Sequence, residues 1–302
     1  MFISRIIMSK IQWTNETWNP IVGCSKISEG CVNCYAESLA KAPRLQKFEQ
    51  YQKVSDWDGT VEFVESQLYK PLSWKTPKKI FVCSMGDLFH EDVNFEWIDK
   101  IMAIMCHCKH HTFQVLTKRP DRAVFYFNDH LPNIGLRWFA LGENVAVTFK
   151  SQTPLPNIWI GVSVENQARA NERIPLLYQI PAKVKFLSCE PLLEPLELLS
   201  SIPVEIDELI DNEQQIYLND FVDWVIVGGE SGSKARPCYY DWILRVVQDC
   251  KALTIPVFVK QLGSNFIHSN EAFKHKTKFK HSKKGNIEEF PNSLKVRQFP
   301  QF

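Results

Sequence analysis

Short runs of β-branched and aromatic residues alternate along the chain with longer stretches in which apolar residues recur every three or four positions. The runs KIFVCS (79–84), TFQVLT (112–117), IWIGVS (158–163), VKFLSC (184–189), DWVIVGG (223–229) and IPVFVK (255–260) are almost continuously apolar, as strands buried on both faces of a parallel sheet are. Between them FEWIDKIMAIMCHC, ARANERIPLLYQI and YDWILRVVQDCKAL have the spacing of amphipathic helices that cover such a sheet. A first strand is expected around Asn19 to Gly23, with its helix starting near Tyr35. The alternation predicts an α/β chain folded as a partial or complete (β/α) TIM-like barrel.

Each apolar run is followed by a polar or glycine-bearing turn: SMGDLFH, KRPDR, VENQ, EPLLEP, GESGSKARP and QLG. Loops at the carboxyl ends of parallel strands gather on one face, where sites are built. A cysteine-bearing loop after the first strand is therefore expected to share one mouth with Asp87, Lys118, Glu165, Glu190, Glu230 and Lys260. Two segments depart from the repeat. Residues 194–223 are acidic and read as an insertion near the mouth. A tail from Ser264 carries the lysine-rich FKHKTKFKHSKKGN, a composition that grips phosphates or, the reading preferred here, forms a flexible basic arm. The expected organisation is an N-terminal extension (1–12), a barrel domain (13–263) with its insertion at 194–223, and the basic tail (264–302).

Composition narrows the function classes. Lys+Arg at 35 against Asp+Glu at 34 leaves a net charge of +1, so no global field steers the chain toward nucleic acid or a membrane surface. No apolar run approaches the roughly 20 residues that a bilayer demands, and MFISRIIMSK lacks the features of a secretory signal. A cytoplasmic, non-membrane protein is expected. Met8 opens a second plausible start, MSKIQWT, which would make the first residues an upstream extension.

Nine cysteines, at 24, 31, 34, 83, 106, 108, 189, 238 and 250, are odd in number and scattered, which argues against a disulfide framework. Cys83, Cys189, Cys238 and Cys250 sit singly in or near apolar segments as small buried thiols do. Cys24, Cys31 and Cys34, in GCSKISEGCVNCYAE, form a C-x6-C-x2-C group. Three thiolates are one short of the four that close a structural zinc site or saturate a cubane cluster. The shortfall leaves a centre with one open position, or a zinc site completed by Cys83, Cys189 or a histidine. CHCKHH (106–111) has metal-like density but ends a helix, where histidine and lysine suit the dipole. GGESG lacks the endings of a phosphate loop, and Trp13 and Trp18 are assigned to core packing.

The GCxNCYAE loop, placed after the first strand of a βα repeat, resembles the cluster loop of radical S-adenosylmethionine enzymes, and its Cys-Tyr-Ala ending is similar to the spore photoproduct lyase branch. A closer likeness is to phage and bacterial proteins of unassigned function that share W-T-x-x-T-W-N-P, here Trp13 to Pro20, and then the three cysteines. SMGDLFHEDV, HTFQVLTKRP, IGVSVENQ, FLSCEPLL, DWVIVGGESGSKARP, FVKQLG and VRQFP carry that likeness along the chain. Two departures stand out. The radical S-adenosylmethionine spacing is C-x3-C-x2-C, and the GGE triplet here, Gly228 to Glu230, follows a late strand instead of the second.

The resemblance implies a barrel of the radical S-adenosylmethionine type in which Cys24, Cys31 and Cys34 hold a [4Fe–4S] cluster whose fourth iron chelates S-adenosylmethionine. One electron from an external donor would then yield a 5′-deoxyadenosyl radical that abstracts hydrogen from a substrate, with a nucleic acid or nucleotide as the candidate class. By position, Met85, Gly86 and Asp87 would cradle the methionyl group, and Ser163, Glu165 and Asn166 would bond the ribose hydroxyls. Lys118, Arg119 or Arg236 would hold the cofactor carboxylate or an anionic substrate. Two other readings stay open: a zinc-stapled nucleic-acid-binding module using the basic tail, and an accessory protein with a purely structural cluster.

Overall fold

Seven parallel strands lie side by side in the order of the sequence: β1 (Glu16–Trp18), β2 (Lys79–Val82), β3 (Thr112–Thr117), β4 (Ile158–Ser163), β5 (Val184–Cys189), β6 (Trp224–Gly228) and β7 (Val257–Gln261). Repeated βα units joined by crossovers of one hand produce this order. The computed structural model describes residues 11–128, 156–199, 216–268 and 279–301. Among them β1 and β7 do not pair, so the sheet is a curled half-barrel, the partial form of the expected architecture.

All six apolar runs form strands. The first strand differs from its expected place: Glu16–Trp18 enters the sheet beside β2, whereas Ile21–Val22 turns away and pairs antiparallel with Glu62–Phe63. Pro20 lies between the two pieces and has no amide hydrogen for a ladder; its carbonyl accepts instead from Val64 N at 2.8 Å. The helices of six or more residues among those described are α1 (Tyr35–Ala40), α2 (Phe95–His107), α3 (Pro120–Asn128), α4 (Gln167–Gln179) and α5 (Tyr240–Ala252). Asparagines begin two of them. Asn94 Oδ1 accepts from Trp97 N and Asn166 Oδ1 from Arg169 N, both at 2.9 Å, satisfying amides that a helix start leaves unpaired.

Alternate strand residues face opposite sides. One set, including Val115, Val162, Leu187, Val227 and Val259, meets the helices in the main core, where Cys83 and Cys189 also lie. The other set faces the concave side. Near the amino ends it is a floor of Trp13, Phe81, Trp159, Phe186, Trp224 and Phe258. Gly161 makes room there, since a Cβ would sit 2.5 Å from the Phe186 ring. Toward the carboxyl ends the same alternation presents Ser163, Ser188 and Gly228, then the charged strand-end residues.

Described residues from both halves of the chain pack on the concave side. Ile11 and Phe299 pack against the aromatic floor, Phe299 lying 5.3 Å from Trp224 between ring centres. The expected flexible arm is, over residues 279–301, a fixed cover for the edge of β7. Val259 N bonds Val296 O at 3.0 Å and Gln298 N bonds Val257 O at 2.9 Å. Arg297 donates to the carbonyls of Val259, Lys260 and Gly285. An unpaired edge strand invites such a partner, and Phe290 and Leu294, both buried, anchor it. Residues 269–278 of the lysine-rich stretch, residues 200–215 of the acidic insertion and residues 1–10 lie outside the described residues. Both ends of the insertion are anchored in the core, through Leu196 and Leu198 on one side and Leu218 and Val222 on the other. Among the described residues no helix is long and apolar enough to cross a membrane.

Candidate functional site

The cysteine loop, residues 23–34, lies across the carboxyl ends of the strands and is fastened there residue by residue. It starts at Gly23, whose N bonds Met85 O at 2.9 Å and which pairs with Gly86 in an isolated parallel bridge. Asn19 Oδ1 supports that contact by accepting from Ser84 Oγ and Met85 N, both at 3.1 Å. Met85 and Gly86 thus form the seat of the loop's first turn.

Between the cysteines, polar side chains reach four different strand ends. Ser25 Oγ donates to Glu91 Oε1 at 2.8 Å and accepts from Arg119 Nη2 at 2.6 Å. It also meets His90 Nε2 at 2.9 Å. Because His90 Nδ1 accepts from Asp92 N, the neutral ring carries its proton on Nε2 and donates to the serine. Ser28 Oγ donates to Glu165 Oε1 at 2.8 Å. Gly30 fits against the same carboxylate, where a Cβ would come within 2.3 Å of Oε1. The Glu29 carbonyl accepts from Arg236 Nη1 at 2.7 Å, and Asn33 Nδ2 donates to Glu230 Oε2 at 3.0 Å.

Each carboxylate that receives the loop is itself braced. Glu165, fully buried, pairs with Lys118 Nζ at 2.7 Å and with Arg173 Nη1 at 2.9 Å. Burial opposes its ionisation, but the two cations and Ser28 outweigh burial and hold its pKa below the usual carboxylate value. Glu230 receives Arg236 through Nη2 at 2.6 Å and Nε at 3.1 Å. Asp87 accepts from Thr117 Oγ1, Phe89 N, Lys118 N and Arg119 Nη1. Glu190 and Lys260 form a two-point pair at 2.7 and 2.8 Å.

Two of the thiols face cations. Cys24 Sγ accepts from Arg119 Nη1 at 3.5 Å, and Cys31 Sγ from Lys118 Nζ at 3.6 Å. Burial and the Asp87 charge push the Cys24 thiol up to about 12 against the pull of Arg119. Burial also opposes ionisation of Cys31, yet Lys118 and hydrogen bonds from the Ile27–Ser28 segment prevail and lower its pKa. Cys34 opens α1 and shares with Cys24 a small apolar cluster that includes Val22, Ala36, Val54 and Met85.

The mouth expected from the strand-end turns is therefore present, and Asp87, Lys118, Glu165, Glu230 and Arg236 all belong to the lattice that holds the cysteine loop. Both Asp87 oxygens are taken by protein donors, and Asn166 spends its side-chain oxygen capping α4. The Ser163 carbonyl accepts from Arg173 Nη1 at 3.0 Å. Ser25, His90, Glu91 and Arg173 carry no sequence signal of these contacts, and Ser28 signals only a turn. The polar spacer SKISEG signals that something must hold the loop, but nothing in its residue types names the partners.

A [4Fe–4S] group can be tested against these residues. Among those described, no three His, Cys, Asp or Glu side chains are gathered to hold a metal ion. Cys83 and Cys189 lie in the core, and both His90 nitrogens are hydrogen-bonded within the protein. A tetrahedral zinc draws its donors to one point. A cubane takes thiolates on separate irons, and three thiols with two facing cations suit that anionic group by their chemistry. In CHCKHH, His110 and His111 are tied to the carbonyls of Trp74 and Pro71.

The family described as "Protein of unknown function (DUF5131)" matches residues 8–291. The chain belongs to that family. No curated protein and no solved structure matches it. The DUF5131 match spans the whole site, from the cysteine loop to Arg236, and stops short of the Val296–Phe299 segment that covers β7.

Proposed function

We propose that this chain is a radical S-adenosylmethionine-type iron–sulfur enzyme. One observation carries the reading: three thiols on a single loop lie over the carboxyl mouth of a parallel half-barrel, two of them faced by cations. Cys24, Cys31 and Cys34 would hold the cluster. When bound, it would supply the electron that splits S-adenosylmethionine into methionine and a 5′-deoxyadenosyl radical.

The chain's own residues have three tasks in this reading. The Ser25, Ser28 and Asn33 anchors fix the loop so that the thiols keep one geometry. The Met85–Gly86 backbone, seated against Gly23, would cradle the methionyl group. The aromatic floor closes the concave side below the mouth and excludes water from that end. A nucleic acid or nucleotide remains the candidate substrate class and an external one-electron carrier the implied partner.

The test is anaerobic reconstitution with iron and sulfide, followed by addition of dithionite and S-adenosylmethionine. The reading expects 5′-deoxyadenosine from the wild type and none from Cys24→Ala, Cys31→Ala or Cys34→Ala. Absence of 5′-deoxyadenosine from a wild-type protein that has taken up cluster would leave a structural centre and remove the catalyst.

A further inference from the structure

Lys118 and Arg119 are consecutive residues leaving β3, and their cationic ends reach two different cysteines: Lys118 Nζ at Cys31 Sγ, 3.6 Å, and Arg119 Nη1 at Cys24 Sγ, 3.5 Å. Both cations are fixed from behind. Lys118 is held by Glu165 at 2.7 Å. Arg119 spends Nε on Glu91 at 2.5 Å, Nη1 on Asp87 at 3.4 Å and Nη2 on Ser25 Oγ at 2.6 Å, so every guanidinium nitrogen is committed within the protein. That leaves Arg119 poorly suited to hold a cofactor carboxylate.

We propose that Lys118 and Arg119 are positioning residues for the cluster reading above, on which this inference rests: their N–H groups hold the Cys31 and Cys24 sulfurs and raise the reduction potential of the bound group. The step concerned is the gain of one electron from an external one-electron carrier, with no covalent bond formed or broken in the protein. Reduction adds negative charge to a group that is already anionic. Hydrogen bonds to ligand sulfurs and nearby positive charge favour that reduced state. Asp87 accepts from the same Arg119 Nη1 that reaches Cys24, and Glu165 pairs with the same Lys118 Nζ that reaches Cys31, while Glu91 takes Arg119 Nε; the atoms in contact with the two sulfurs are cationic N–H donors.

The experiment is a redox titration of the anaerobically reconstituted full chain without S-adenosylmethionine, read by electron paramagnetic resonance, with iron and sulfide determined in parallel. Wild type is compared with Lys118→Gln, Lys118→Arg, Arg119→Gln and Arg119→Lys. The expected result is full iron content throughout, a midpoint potential lowered in both Gln variants, and Arg or Lys replacements closer to wild type. Should Lys118→Gln fail to fold because Glu165 is left with one cation fewer, the double variant Lys118→Gln/Glu165→Gln keeps the pocket balanced. Its potential is expected below that of Glu165→Gln alone. Unchanged potentials in variants that hold a full cluster would overturn the inference and leave the cluster reading standing. Weakened S-adenosylmethionine binding at an unchanged potential would overturn it in favour of a cofactor-carboxylate role. A wild type that takes up no iron would overturn both.

Discussion

Glu165 shows how far one residue's role departs from what its type suggests. A strand-end glutamate reads as a ligand-binding group, yet this one is fully buried between Lys118, Arg173 and Ser28 and fixes the cysteine loop to β4 and α4. The sequence separations that hide such a partnership are long, 137 residues for Ser28 to Glu165, and residue type alone does not reveal the pairing. Removing one member of a buried pair strands the other charge. Arg173→Met is accordingly expected to lower stability by about 3–5 kcal/mol in urea unfolding, far more than a surface substitution. Gly30→Ala places a Cβ within 2.3 Å of Glu165 Oε1; the loop must shift, with an expected loss of about 1–3 kcal/mol and reduced iron uptake on reconstitution. Wild-type stability in Gly30→Ala would contradict that contact.

Away from the mouth, Lys185 gives a pH signature. Burial pushes its ammonium down to about 8 despite the pull of Asp223, against about 10.4 in an unfolded chain. Below pH 8 both states carry the proton and the folded state bears the cost of burying it. Between about 8 and 10.4 the unfolded chain holds more protons, so stability rises with pH and then levels off. Thermal melts of wild type and Lys185→Met are expected to show the wild type gaining on the variant through that window. Parallel curves would place Lys185 in solvent.

At the scale of elements, strands and helices were the most legible part of the chain, because stretches such as FEWIDKIMAIMCHC carry a helical period while runs such as IWIGVS are short, rich in β-branched and aromatic residues and bounded by turns. Two elements escaped. Pro20 split the expected first strand, an effect of one missing amide in a short segment. The lysine-rich stretch dominates the composition of the tail, whereas Phe290, Leu294 and Val296 carry it onto β7. Leu294→Ala, at a fully buried site, is expected to cost about 2–5 kcal/mol in chemical unfolding; a free arm would lose nothing. The Asn166 cap separates two roles in the same way. Asn166→Ala should lose about 1 kcal/mol while Asn166→Asp, which also caps, retains stability. A variant that keeps its stability but loses S-adenosylmethionine binding would instead favour the ribose contact.

On the scale of the whole molecule, the in-order parallel sheet puts every strand-end turn on one side, and that consequence of topology was readable before any side chain was placed. The cover of the aromatic floor was not, since it depends on Ile11 and Phe299, almost the full chain apart, packing against the same cluster. The same topology sets the three cysteines on the face where sites gather, and the proposed reading takes their loop as a site and not a staple. Metal analysis of protein purified and reconstituted under strict exclusion of air tests that reading most directly. The account expects roughly four irons with matching sulfide per chain, and loss of that iron from each single cysteine-to-alanine variant. One tightly bound zinc per chain with no iron or sulfide would contradict it.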